Sequence, residues 1–291
     1  MLIFDSHKMN KVFLYWWNSK PNVGDYASYY IVKKLSQKEV VRKDPNLRLK
    51  SIIKKGILSL FSLGEKPIFS EYLLPGQTVI ASIGSILDYC TDKTIVWGTG
   101  AREFDSKIKA NDFRAVRGKL TRRLIGREDL PIGDPALLLP IVYNKNCGLK
   151  YSISIIPHFS EYEFFKKAYG KKYHIIDIRT NDIEYFVDEV RASQYILSSS
   201  LHGLIIAHAY GKHALWIKKG HIHSSDFKFH DYFSSVGIPR YEGFTDIETL
   251  LNNESSIKQL FALNKEKTSI QTDLKQIQKD LISVFPINIE K

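Results

Sequence analysis

Four short segments, each where an apolar run gives way to a helical pattern, hold side chains suited to binding and activating an anion. The first is Asn22-Val23-Gly24-Asp25, between a strand ending at Trp16 and a helix expected over 26–35. Gly24 allows a tight turn. Asp25 is either the helix N-cap or a carboxylate that works on an acceptor hydroxyl. The N–H groups of a helix start attract anions, although Asp25 itself would repel one. The second is Ile83-Gly84-Ser85-Ile86, echoed by Trp97-Gly98-Thr99-Gly100. Small residues there let a ligand approach the backbone, or simply mark turns. In the third, Val116-Arg117-Gly118-Lys119-Leu120-Thr121, a guanidinium stands where a strand ends and a helix begins, with Gly126 as the helix stop. A fork of donors beside free N–H groups suits a carboxylate or phosphate, a solvated arginine being the plainer alternative. The fourth, Ser198-Ser199-Ser200-Leu201-His202-Gly203-Leu204, opens an apolar helix with three hydroxyls and a histidine. These hydroxyls and N–H groups form an anion cradle, and His202 titrates near neutrality. His221-Ile222-His223 followed by Asp226 imitates a metal-binding spacing. A loop fixes no ligand geometry, so no metal is expected.

The elements that must position these residues alternate. Short β-branched and aromatic runs at 12–16, 78–83, 94–97 and 113–116 form one series of strands. Runs at 151–156, 173–178, 195–197 and 214–217 form a second, with helical patterns between them. That alternation argues for βαβ units and parallel sheets, whose sites lie at the C-terminal strand ends. The Pro- and Gly-rich stretch 131–147 is the expected junction. The expected organisation is therefore a Rossmann-like domain over 1–145, a second over 146–265, and a C-terminal helix over 266–291 that packs back across the hinge. The tail stretches 246–251 and 267–284 read as polar helices. Within the first domain, 47–61 is a basic amphipathic segment. Leu49, Ile52, Ile53, Ile57 and Leu60 share one helical face, while Lys50, Lys54 and Lys55 lie elsewhere. Such a helix either lies on an anionic membrane or packs on its own domain, and Gly56 weakens both.

With 291 residues, 44% hydrophobic and 25% charged, the chain can bury a substantial core. Cys90 and Cys147 are far apart in sequence and belong to no CxxC or Cys/His cluster, so no disulfide framework or zinc site is expected. The N-terminal apolar run is broken by Asp5, His7 and Lys8, unlike a signal peptide, and Met9 is an alternative start. No stretch approaches the roughly 20 apolar residues that span a bilayer. A cytoplasmic location follows as the expectation, with the inner membrane face as a peripheral one. A net charge of +11 asks for acidic partners. The basic residues are spread along the chain and no nucleic-acid motif is present, so phosphorylated small molecules and anionic lipid are favoured over nucleic acid.

Taken in order, NVGD, IGSIL, VWGTG, VRGKLT, IGDPALLLP, SSSLHGLIIAHAYG and KFHDYFSSVG resemble the polysaccharide pyruvyl transferase family, over about 12–237. The resemblance implies a GT-B-like pair of Rossmann-like domains with parallel sheets facing a central cleft. It implies phosphoenolpyruvate as donor and a sugar hydroxyl of a surface polysaccharide precursor, free or lipid-diphosphate-linked, as acceptor, with no cofactor. Arg117 and His202 match positions tied to the phosphoenolpyruvate site, with Gly84, Ser85, Ser199, Ser200 and Leu201 around them. Asn22, Asp25 and His158, the last in Ile156-Pro157-His158, fall to the acceptor. Members of the family can carry a basic residue where this chain has Ser200. In this reading Arg117 clamps the donor, with Lys119 assisting. His202 moves the proton because its ordinary titration lies near working pH, and Asp25 orients or deprotonates the acceptor. Two rival readings remain: a GT-B glycosyltransferase using a sugar nucleotide, and a non-catalytic polysaccharide-binding member.

Overall fold

A computed structural model of the chain describes residues 11–60, 69–220 and 226–287. The strands are β1 (Lys11–Tyr15), β2 (Glu39–Arg42), β3 (Val79–Ala81), β4 (Thr94–Trp97), β5 (Asp112–Ala115), β6 (Tyr151–Ile156), β7 (His174–Ile175), β8 (Ser193–Ser198) and β9 (His213–Trp216). The helices are α1 (Val23–Ser36), α2 (Leu49–Leu60), α3 (Lys119–Leu124), α4 (Leu139–Val142), α5 (Tyr162–Tyr169), α6 (Ile183–Arg191), α7 (Leu201–Ala209), α8 (Phe227–Val236), α9 (Ile247–Asn252), α10 (Glu254–Leu263) and α11 (Leu274–Ser283). The chain is α/β with two parallel sheets, one of five strands in the order β2-β1-β3-β4-β5 and one of four in the order β7-β6-β8-β9.

Both orders contain the same reversal. The chain steps from β1 to β2 on one side and then to β3 on the other, just as it steps from β6 to β7 and then to β8. At such a switch point the two connections leave in opposite directions and open a crevice at the C-terminal strand ends, where ligands bind in this class of sheet. The segments after β1 and β3 carry Asp25 and Ser85; those after β6 and β8 carry His158 and His202. Topology alone therefore selects most of the residues that the sequence singles out.

The strands form where buried β-branched runs predict them, with two differences. β2, Glu-Val-Val-Arg, is an edge strand that is nowhere fully buried, so it lacks the continuous apolar signature of a central strand. The expected run at 173–178 pairs only at His174–Ile175, although Ile176 and Ile178 remain buried. The stretch 131–147 is not an open linker. Asp134 accepts from Ala136 N–H at 2.9 Å and starts a short helical turn, Pro135–Leu138, that runs on into α4. Ala136, Leu137, Leu138 and Leu139 are fully buried and join one apolar cluster that continues from α1 to α7 and into the second sheet.

The tail returns to the first sheet. Trp97 Nε1 donates to the Leu281 carbonyl at 2.9 Å, the Trp97 and Phe285 rings lie 4.7 Å apart, and Gln278 donates to Leu137 O at 2.7 Å. A Cβ at Gly133 would come within 2.7 Å of Ile277, so this glycine lets α11 sit flush. Leu281 is fully buried in that contact. Leu281→Ala should lower the unfolding free energy by about 2–5 kcal/mol, read from urea midpoints at an unchanged m value. A loss within about 0.5 kcal/mol would mean that α11 adds nothing to the fold.

Candidate active site

The loop after β1 is fastened to the segment that follows β7, because Val23 N–H donates to the Ile178 carbonyl at 3.0 Å. That bond starts α1 three residues earlier than local sequence suggests. Asn22, not Asp25, is the N-cap: its Oδ1 accepts from Gly24 N–H at 2.9 Å. Asp25 is thereby released from capping and lies in the first turn. Burial pushes its carboxyl up from 3.8 to about 7, against the partial relief of the Lys228 ammonium. Gly24 makes no tight turn. A Cβ there would fall 1.6 Å from His202 Nδ1, so its purpose is to let the imidazole lie against the α1 backbone.

Gly84 follows β3 with a positive φ of 108°, a conformation that favours glycine. Its carbonyl accepts from Thr99 Oγ1 at 2.6 Å and Gly100 N–H at 3.1 Å, which locks the two glycine loops together. Gly100 is small for a different reason than ligand access. A Cβ there would lie 2.4 Å from Arg117 Cζ, so what crosses it is the guanidinium.

Arg117 is fully buried, not a solvated arginine. Its Nε donates to Asp231 Oδ2 at 2.9 Å, Nη1 to Ser85 Oγ at 2.6 Å and Nη2 to the Ala101 carbonyl at 2.7 Å. Asp231 also accepts from Thr121 N–H at 2.9 Å and Thr121 Oγ1 at 2.6 Å. A donor fork read as open to an anion thus already holds three protein partners. Ser85 is the partly exposed member of the set. Lys119 is exposed, with its N–H donating to Ser234 Oγ at 2.8 Å.

The serines after β8 are also partly used. Ser198 Oγ donates to Ile156 O and accepts from Ser200 N–H, at 2.9 and 3.0 Å. Ser199 Oγ donates to Glu161 at 2.5 Å and accepts from His158 N–H at 2.8 Å. Ser200 caps α7 by its backbone conformation, with no side-chain capping bond, and Leu201 is buried behind it. His158 Nδ1 lies 2.8 Å from Ser160 Oγ. His202 Nε2 is shut from solvent and has no hydrogen-bond partner among the described residues. Burial, reinforced by Lys228, pushes His202 down to about 3 and His158 to about 4, so both rings are neutral at pH 7. That overturns the expectation that His202 titrates near neutrality in the unliganded protein; Asp25 is the group that does.

Lys228, on α8, is the residue that motif reading missed. Its ammonium stands within electrostatic reach of Asp25, Arg117 and Asp226, and burial lowers it from 10.5 to about 8. The signal was present in KFHDYFSSVG. Lys228 and Asp231 are three apart on a helix whose Phe229, Tyr232 and Phe233 are buried, so both charges share a face that is drawn inward. Of the imitation metal site, His221 and His223 lie outside the described residues, while Asp226 is paired with Lys218 at 2.7 Å. Among the described residues no group of three or more His, Cys, Asp or Glu is arranged to hold a metal. No helix there is long and apolar enough to cross a membrane.

The raised Asp25 carboxyl has a consequence for stability. Between 3.8 and about 7 the folded state holds this proton while the unfolded chain releases it. Its contribution is therefore fully present below pH 4 and lost as pH rises through 7, on the order of a few kcal/mol. Asp25→Asn should flatten that decline in unfolding free energy measured from pH 4 to 8. An unchanged slope would mean that Asp25 ionises as freely in the folded protein as in the unfolded chain.

The family described as polysaccharide pyruvyl transferase matches residues 18–218. That span holds Asn22, Asp25, Ser85, Arg117, His158 and His202 and ends before Lys228. The chain is also 30% identical, over 189 residues, to an uncharacterized protein of Acanthamoeba polyphaga mimivirus, covering 60% of this chain and 66% of that relative. The chain thus spans just under two thirds of that relative's length. With the family match extending over more than half of its residues, and over both switch points, the chain belongs to the polysaccharide pyruvyl transferase family.

Proposed function

We propose that the chain transfers the pyruvyl group of phosphoenolpyruvate to two hydroxyls of a sugar in a bacterial cell-surface polysaccharide precursor, in the cytoplasm and without a cofactor. The observation that carries this reading is the convergence of Asp25, His158, His202 and Lys228 at two strand-order reversals, within a family of pyruvyl transferases. The reaction adds a proton to C3 of the enol, joins two acceptor oxygens to C2, and breaks the C2–O bond to phosphate. Of the two protons that the acceptor hydroxyls give up, one balances the proton spent on C3. The other leaves with phosphate.

The protonation states suggest the division of labour. Asp25, which holds a proton up to about pH 7, donates it to C3. His202, neutral and with Nε2 unpartnered, takes the proton of the attacking hydroxyl. Sequence alone leaves the direction of proton transfer by His202 open and gives Asp25 the acceptor hydroxyl; in this reading Asp25 is the acid and His202 the base. Asn22 and His158 orient the acceptor. Lys228, still mostly protonated at neutral pH, binds the donor's carboxylate or phosphate together with Ser85, Ser199, Ser200 and the backbone at Gly84 and Leu201. Arg117 acts from one layer behind, holding Ser85 and adding positive potential.

Calorimetric titration tests the donor assignment. Wild type should take up phosphoenolpyruvate, and Lys228→Met should weaken it about 10- to 100-fold, the worth of one charge-assisted contact. Arg117→Ala is a poorer probe, because it leaves Asp231 buried without a counter-charge. Uptake of a sugar nucleotide in place of phosphoenolpyruvate would overturn this reading in favour of a glycosyltransferase.

The pH profile tests the acid. Pyruvyl transfer should slow as pH rises through about 7 and Asp25 loses its proton. Asp25→Asn should lose about 100-fold or more in kcat while retaining donor affinity. A wild-type rate that climbs through the same range would instead make Asp25 the base.

A further inference from the structure

We infer that α2 docks the protein on an anionic lipid surface, with the C-terminal strand ends turned toward it. Leu49, Ile53 and Ile57 recur at four-residue spacing along one face of α2 and are 49, 50 and 53% exposed, while Ile52 is 1% exposed and anchors the helix to the protein. Exposed apolar side chains scattered singly need no explanation. Three in a row on one helix form a stripe that water covers at a cost.

The charge around the stripe selects its occupant. Residues 45–64 contain Arg48, Lys50, Lys54 and Lys55 and no Asp or Glu. A second copy docking through the same stripe would bring two all-basic clusters together. A membrane carrying anionic headgroups offers opposite charge to the lysines and an acyl boundary to the leucine and isoleucines. The protein's overall charge of +11 adds to that attraction.

Placement gives the docking a direction. α2 follows the C-terminal end of β2. Its lead-in is held by Asn46, which donates to the Tyr89 carbonyl, and the Tyr89 ring stands 5.5 Å from Trp17 in the loop that leads to Asn22 and Asp25. The stripe and the candidate site are thus served by neighbouring loops on one side of the first sheet. A lipid-anchored sugar would meet the site without the protein having to turn over.

The test is sedimentation of the full chain with phosphatidylcholine vesicles that contain phosphatidylglycerol, against pure phosphatidylcholine, at low and high salt. Wild type should pellet with the anionic vesicles and be released by salt. Lys50→Glu should weaken binding about fivefold or more. The triple change Leu49→Gln, Ile53→Gln, Ile57→Gln should abolish it while leaving the unfolding midpoint unchanged. Equal pelleting with both vesicle types, or none with either, overturns the inference. So does a dimer, seen by light scattering, that the triple change dissolves, because the stripe would then belong to a second copy. None of these outcomes depends on the donor assignment, which stands or falls by the titration alone.

Discussion

The buried ion pair between Arg117 and Asp231 is the interaction on which the rest of the site depends. Neither side chain reaches water, and removing two charges from water costs several kcal/mol per ion unless the geometry repays it. Here each charge is met by further partners: Ser85 and Ala101 on the arginine, the backbone and hydroxyl of Thr121 on the aspartate. Two glycines make the meeting possible. A Cβ at Gly100 would strike the guanidinium, and one at Gly118 would come within 1.8 Å of the Asp231 carbonyl. Because the pair joins the end of β5 to α8, it fixes the helix from which Lys228 projects.

The electrostatic state of the cluster follows from burial that its acidic neighbours offset only in part. Asp231 is committed to Arg117, and Asp25 sits close to half-protonated at neutral pH, so the positive charge of Lys228 is only partly compensated. The same desolvation that raises Asp25 lowers Lys228, His158 and His202. An anion brought into this space would favour the protonated form of all four groups. The resting cluster is accordingly short of negative charge, and that shortage points to an anionic ligand more directly than the chain's overall charge does.

Much of the placement was legible in the sequence, and the failures share a cause. Central strands such as Val79–Ala81 and Thr94–Trp97 are largely buried on both faces and read as short apolar runs. The edge strand Glu39–Arg42 is not, and it escaped notice. Asn22 and Asp25 are both good capping residues, three apart. The choice between them is made by a bond to Ile178, more than 150 residues away, for which no local signal exists. The glycines were seen but misassigned, since sequence shows that space is needed and not which side chain fills it. Gly24 yields to His202, and Gly100 to Arg117. Arg117 reads from sequence as an open donor clamp, because its partner Asp231 comes from a helix far along the chain and the buried pair leaves no local signal.

The contact of Gly24 with His202 also explains how two sheets can share one candidate site. Gly24 belongs to a helix that leaves the first sheet and His202 to one that leaves the second, and both helices pack on the buried turn Pro135–Leu138. Asp25 is the residue after Gly24. The spacing between carboxyl and imidazole is therefore set by one helical step and the thickness of a ring, not by two loops free to drift. Any larger residue at position 24 would separate the sheets locally or turn His202 out of place. In this fold the registry of the two sheets and the geometry of the candidate site are one constraint, expressed at a position whose only qualification is the absence of a side chain.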